Sequence, residues 1–430
     1  MKRVVFVLVL LVLASVSLLS CGYSNSSYYK PPSGLTTRVL ASQSVASPTS
    51  APGLLIINGS NDTLARGGIS AGNSPGLMAI SSDRTTLLSF DSVTHTVQVV
   101  NTKTESARGS VQLSGPTTSM VALATGSAYA AVPTAPMNNG ASPGAVVAMN
   151  SASGGVYATI SVPNAQTLVA SPDSTHILVF SNDSDAITVI SPLLINTGNQ
   201  FSTTVTGFDR PVYGIFSADG STAYILNCGP QCGSGTAAAS VQTLDMATLT
   251  MTGTPVAVDG ATIGWLNGST LYVAGNSAAN NLCTGQTTAA PTCGRLDIID
   301  LGSMTAISSV VITDGYHDRM DMSSNGQLFI GSSGCTTIGN VNNPQGEVRG
   351  CLSIFDTTKP GNTAAIIPPD NGDVTGLQSF TSRYVEYVAE GGNLRVYDTT
   401  KDILLLDSTI STGTITLAGQ IIDVKAIDFF

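Results

Sequence analysis

One strand–turn–strand–strand pattern recurs eight times between residues 37 and 429, permuted so that the two ends of the chain complete one unit. The clearest copy runs Gln166–Asp173, His176–Ser181 and Ala186–Ile190, with a turn at Pro172-Asp173-Ser174. It reads as two strands joined by a tight turn, then a loop and a third strand, with a fourth leading into the next copy. Equivalent first strands begin at Gly76, Ser119, Val212, Thr262, Arg319, Gly376 and Ile421. Third strands end at Asn101, Asn150, Asp245, Asp300, Asp356 and Asp398. An Asx side chain can bond the backbone two residues on, which suits a corner there. At the C-terminus, Ile421–Phe429 is a first strand with nothing after it, while Thr37–Ala41 and Leu54–Asn58 read as a second and third strand with no first. Joining the ends makes a ring, which leaves no sheet edge open; a linear array would need capping repeats.

A ring of this kind is an all-β propeller. The repeats predict eight blades, with N- and C-terminal strands sharing one of them, and seven blades as the alternative. The runs Ser171-Pro172-Asp173 and Ser217-Ala218-Asp219-Gly220, each followed by a strand and then an aliphatic strand, resemble the YVTN-type β-propeller repeat of bacterial surface and periplasmic proteins. The resemblance covers nearly all of the chain after its N-terminal segment. It implies a fold rather than an activity, because propellers host unrelated functions. A membrane-spanning β-barrel is the competing architecture, but its strands need about 9–11 residues and aromatic girdles. Most strands here span five to seven residues, and aromatics are only 6%.

The N-terminus carries an address. Met1-Lys2-Arg3 is positive and Val4–Ala14 is an unbroken apolar run, shorter than the roughly 20 residues of a spanning helix. Residues 1–20 therefore read as a signal peptide. Leu18-Leu19-Ser20-Cys21 resembles the lipobox of bacterial lipoproteins, which implies cleavage before Cys21 and lipidation of its thiol. An ordinary signal peptide with a chance cysteine is the alternative. Gly22, where a retention signal would place Asp, implies by the same resemblance an outer-membrane destination. Residues 21–34 then form a lipidated cysteine and polar tether, and residues 35–430 the propeller. The formal net charge is −10 and no basic patch occurs, so nucleic acid is not an expected partner. Charged residues make up 10% against about 25% in typical domains. A monomer held to a membrane by its lipid is the expectation.

Six further cysteines fall as Cys228/Cys232, Cys283/Cys293 and Cys335/Cys351, each pair between the second and third strands of one of three consecutive blades. Export supplies an oxidising compartment, so each pair is expected to form a local disulfide contributing roughly 2–3 kcal/mol. A thiolate metal site is the alternative, but no histidine lies near these loops in sequence. The bridges would pin insertions such as Gly275–Gly294 and Ser332–Gly350; Thr134–Ala145 is another long loop. In propellers these loops share a face with the connections between blades, and long ordered loops on a rigid scaffold often carry function.

Two inter-blade connections are polar: Asp209-Arg210-Pro211 and Asp314-Gly-Tyr-His317-Asp318-Arg319. Asp209, Arg210, His317, Asp318 and Arg319 are the candidate binding residues, expected at the mouth of the central channel. The bland reading makes them local ion pairs at strand starts. His95 and His176 read as surface residues. No Gly-x-Ser-x-Gly, HExxH or phosphate-binding glycine loop occurs, so no catalytic residue, metal ligand or cofactor is assigned. A quinone-dependent dehydrogenase would need tryptophan docking motifs, and Trp265 is the only tryptophan. The expected function is a non-catalytic binding or scaffold module for a protein or glycan, acting through the loop-rich face. A metal-assisted hydrolase or lyase using the channel and a purely structural envelope component are the alternatives.

Overall fold

A computed structural model describes residues 31–44, 53–137, 142–233, 238–277, 293–335, 338–339, 348–349, 351–359, 361–368, 372–407 and 419–428. Their strands form eight separate antiparallel sheets arranged as the blades of a ring. Blade 1 comprises Pro75–Ile80, Thr86–Asp91, Thr96–Asn101 and Ser106–Gln112. Blade 2 follows at Ser119–Ala122, Ser127–Val132, Ala145–Asn150 and Gly155–Ser161. Blade 3 takes Ala165–Ala170, Ile177–Ser181, Ala186–Ile190 and Ser202–Thr206, and blade 4 takes Pro211–Phe216, Thr222–Asn227, Ser240–Asp245 and Thr250–Ala257. Blade 5 runs Ile263–Asn267, Thr270–Asn276, Gly294–Asp300 and Thr305–Ile312. Blade 6 has Tyr316–Met322, Gln327–Ser333 and Leu352–Asp356, and blade 7 has Val374–Phe380, Val385–Glu390, Asn393–Asp398 and Ile403–Asp407.

Blade 8 draws on both ends of the chain. Gln420–Ala426 is innermost and pairs with Arg38–Ser44, followed outward by Gly53–Asn58 and Thr63–Ile69. Val39 lies opposite Ala426 and Ala41 opposite Val424. Each innermost strand packs on the next around the circle, and that of blade 8 returns to blade 1. The count is eight rather than seven, and the eight distinct sheets exclude a single barrel.

Burial explains why the middle strands read as near-continuous apolar runs. Arg38–Ser44 and Thr86–Asp91 are buried almost throughout because both faces are covered by a neighbouring blade. Period-two alternation then sends successive side chains to opposite neighbours. Val39 and Ala41 join Tyr387 and Val396 of blade 7, while Leu40 joins Met78 and Leu87 of blade 1. The outermost strands face water on one side, so Ser106–Gln112 carries exposed Ser, Arg and Gln.

Turn chemistry closes each unit. The Asx side chain that ends a third strand accepts backbone N–H groups beyond it: Asn101 from Lys103 at 3.0 Å, Asp300 from Gly302 at 3.1 Å and Asp398 from Thr400 at 2.8 Å. The Ser-x-Asp turns repeat their own device. Ser81, Ser171 and Ser217 each donate a hydroxyl to the Asp two residues on at 2.6 Å. These donors hold Asp83, Asp173 and Asp219 below the usual carboxylate range.

Among the described residues, blade 6 shows three strands where four were expected. Its fourth position is reduced to Ile366, which bridges Ile354, while Ala364 bridges Val311 of blade 5. Pro360, Pro368 and Pro369 crowd this segment, and proline has no N–H to give a ladder. The innermost strand of blade 6 also begins at Tyr316, three residues before the expected start at Arg319.

Candidate functional site

First strands run from the mouth of the channel toward the tight turns, so inter-blade connections and the loops between second and third strands share one face. The mouth is built from a recurring irregularity. In blades 3, 4, 6 and 7 the first strand is bulged near its start, so Gln166, Val212, Asp318 and Thr375 are extra residues with no partner on the second strand. Blade 1 bulges at the same place, around Gly76 and Leu77. A bulge re-aims a side chain out of the pleat alternation. Leu77, Gln166, Val212 and Asp318 all line one cavity of about 280 Å³, with contributions from blades 1 to 6. A neighbouring cavity of about 390 Å³ shares Gln166, Val212 and Tyr316 and adds Asp183, Arg210 and Gln231. Farther down, a more apolar cavity of about 520 Å³ contains Trp265, Tyr224 and Ile215, and Tyr213 lines both it and the mouth.

The candidates from sequence separate here. Asp318 and Arg319 stand together at the mouth, Arg319 Nη1 lying 3.1 Å from Asp318 Oδ2. Arg319 Nε also donates to the Thr375 carbonyl at 2.7 Å, which ties blade 6 to blade 7. Burial raises the Asp318 carboxyl, Arg319 opposes this and Asp373 adds to it. Its Oδ1 has no hydrogen-bond partner among the described residues. Arg210 Nη1 reaches Asp183 Oδ1 at 3.2 Å, and its backbone N–H donates to Asp185 Oδ1 at 3.2 Å. Both Arg210 and Asp183 hold left-handed backbones, φ 56° and 59°. Asp209 is half-buried beside them, its N–H directed to Asn227 Oδ1 at 3.4 Å, and does not line either mouth cavity.

His317 is elsewhere. It is fully buried, and Nε2 donates to the Thr313 carbonyl at 2.8 Å while its own carbonyl accepts the Thr262 hydroxyl at 2.8 Å. Because the strand starts at Tyr316, alternation turns His317 away from the channel, and the bulge at Asp318 then brings Asp318 and Arg319 to the mouth. Burial pushes the imidazole down to about 4. It is a neutral packing residue. His176 is half-buried beside Asp173.

Sequence reasoning missed Gln166, Gln231 and Tyr316. Nothing in composition marks a bulge, so the alternation that reads Gln166 as an ordinary strand residue gives no warning. The Gln166 amide makes no side-chain hydrogen bond among the described residues, and Tyr316 is 47% exposed. Gln231 lies in the short helical turn Gly229–Cys232 and accepts the Asn276 N–H at 2.8 Å. Asn276 in turn donates to the Gly315 carbonyl at 2.8 Å, linking blades 4, 5 and 6 at the rim.

Two disulfides hold this rim. Cys228 pairs with Cys232, and Cys335 with Cys351. The second closes the base of a loop containing the ribbon Ile338–Gly339 and Val348–Arg349. Gly334 beside it donates to Asp373 Oδ1 at 2.7 Å, fixing the loop to the blade 6–7 connection. Cys293 is buried at the start of a third strand, and Cys283 lies outside the described residues.

The mouth therefore offers amide, carboxylate, guanidinium and phenol groups. Hydroxyls of Thr118, Ser119, Ser181, Ser184 and Thr262 also line it, but among the described residues none of them is hydrogen-bonded to a carboxylate or an imidazole. Among the described residues no group of three His, Cys, Asp or Glu side chains is placed to hold a metal ion.

The chain matches no protein-family model, and no curated protein matches it. Among solved structures, the dihydro-heme d1 dehydrogenase NirN in complex with DHE aligns with 11% identity, a TM-score of 0.59, and 91% of this chain over 75% of that one. A proposed 6-phosphogluconolactonase of Bacteroides fragilis aligns with 11% identity and a TM-score of 0.52, covering 91% of this chain and 98% of that one. At such identities the likeness is one of fold alone: this chain is an eight-bladed β-propeller.

Proposed function

We propose that this chain is an exported, lipid-anchored propeller of the YVTN-type repeat class that binds a protein or glycan at its channel mouth without transforming it. The observation that carries this reading is the set of bulges. Blades 1, 3, 4 and 6 project side chains out of register into one mouth, setting apolar Leu77 and Val212 beside the hydrogen-bonding Gln166 and Asp318, a contact surface rather than a reacting pair. Rigid strands hold these groups, and cross-blade bonds and disulfides brace the surrounding rim, so binding orders little. Asp183, Asp185 and Asp318 outnumber Arg210 and Arg319 there, which disfavours anionic ligands. The signal segment and Cys21 support export and lipidation, with the outer membrane as destination and a monomer as the working state.

The test is binding of wild type and of a Gln166→Ala/Asp318→Asn double variant to envelope extracts and a glycan array. Each lost hydrogen bond to a charged or buried group is worth about 1–3 kcal/mol, so the double variant should bind at least about tenfold more weakly with unchanged melting. An Asp219→Ala variant on the opposite face should bind like wild type. Equal binding by the mouth variant, or substrate turnover that depends on Asp318, would overturn the proposal.

A further inference from the structure

The chain enters the disc on the face opposite the mouth. Arg38 opens a second strand, and second strands start at the tight-turn face. The residues before it are tied to that face. Ser33 donates its N–H and its hydroxyl to the two carboxylate oxygens of Glu105, each at 2.6 Å. Glu105 lies in the turn between the third and fourth strands of blade 1. Arg38 adds a bond to the same carboxylate at 2.7 Å and one to the Thr102 carbonyl at 2.8 Å. Gly34 folds back on Pro31 through a 2.8 Å bond.

Pro31 lies ten positions after Cys21, a contour of at most about 35 Å. Turning the mouth toward the bilayer would lead this segment outward past the last strand and then up the side of a blade. One strand spacing plus side chains is about 10 Å, and a strand of seven residues rises about 20 Å. That detour of about 30 Å leaves almost no chain to reach the lipid beyond the rim loops. Lying turn-side down needs none of it.

We propose that the anchored disc presents its turn face to the membrane and its channel mouth to the aqueous side. The mouth then takes a soluble or wall-borne partner, not a lipid or a protein embedded in the same bilayer. The inference rests on the lipid-anchor reading of Cys21 made above.

Native residues report the orientation. Lys103 and Lys401 are exposed in turns between third and fourth strands, and Lys359 just after the third strand of blade 6, whereas Asp183 and Asp185 are exposed at the mouth, 78% and 68%. The experiment uses the lipidated protein on vesicles of phosphatidylethanolamine and phosphatidylglycerol. A sulfonated amine reagent and a carbodiimide label it before and after release at a protease site engineered within residues 23–30, and mass spectrometry reads each position. An anionic reagent is depleted within ~10 Å of an anionic bilayer at 0.1 M salt, so lysine labelling should slow at least about threefold on vesicles. Labelling of Asp183 and Asp185 should not change. A lipidated protein with uniform or reversed protection overturns the orientation and leaves the anchor standing. A purified protein whose N-terminal peptide carries no lipid overturns both.

Discussion

His317 donates from Nε2 to a backbone carbonyl, and its Nδ1 is buried without a hydrogen-bond partner among the described residues. Its imidazole is pushed down to about 4 by burial, against about 6.5 in the unfolded chain. Between those values the unfolded chain binds a proton that the folded one does not, so stability falls as pH drops from about 6.5 toward 4. The loss should be on the order of 2–3 kcal/mol and should show as a falling melting temperature in calorimetry across that window. His317→Gln keeps a donor for Thr313 and removes the titration, so its melting curve should flatten there; an unchanged acid limb would place the titration elsewhere. Glu386 belongs to the same class. It is fully buried, and burial with the neighbouring Asp321 charge holds it protonated well above the ordinary range. Neither role is legible from residue type, because a buried and an exposed histidine are spelled alike.

Among the elements, the second-to-third-strand loops vary most. In blade 7 this connection is two residues, Gly391 and Gly392, both at positive φ as a tight hairpin turn requires. In blade 6 it spans a loop closed by Cys335–Cys351, sixteen residues apart. Closing a loop of that size is worth about 3 kcal/mol in the chain-entropy model. A Cys335→Ser/Cys351→Ser variant should therefore lose about 2–3 kcal/mol in urea unfolding and be cut faster by protease within the loop. Its β-sheet circular dichroism should persist, because the loop lies outside the blade ladder. The pairing was readable from the spacing of the two cysteines within one inter-strand loop. The bulges that shape the mouth were not, since a bulge is an outcome of how two strands settle against each other and their neighbours. The fourth position of blade 6, which carries no full strand among the described residues, lies between these cases: its prolines are visible in the sequence, but the repeat around it predicts a strand.

At the scale of the whole molecule, the described residues form no single central core. Eight apolar clusters lie one between each pair of adjacent blades, so stability depends on keeping the ring shut. Arginines fasten the closing blade on its turn face. Arg38 grips both oxygens of Asp428 at 2.9 and 2.7 Å and also Glu105, Arg383 holds both oxygens of Asp62 at 2.7 Å, and Arg84 reaches the Ala426 carbonyl at 2.5 Å. The Glu105 side chain is only 3% exposed, so Arg38→Met leaves a buried carboxylate with its Ser33 bonds but no counter-charge. That variant should lose about 3–5 kcal/mol in denaturant unfolding, whereas Arg210→Ala, whose partner Asp183 is 78% exposed, should lose under about 1 kcal/mol. Similar losses would mean the seam does not depend on the clamp. The repeat, the ring closure and two of the three stapled loops were legible in the sequence alone, because period-two burial and turn chemistry act between near neighbours and recur with every unit, whereas the structure decided eight blades over seven. Which polar residues meet at the mouth, which histidine is enclosed, and on which face residues 31–37 join the ring were decided only by the tertiary structure. Those depend on register shifts and on contacts between residues hundreds of positions apart, which no local pattern records.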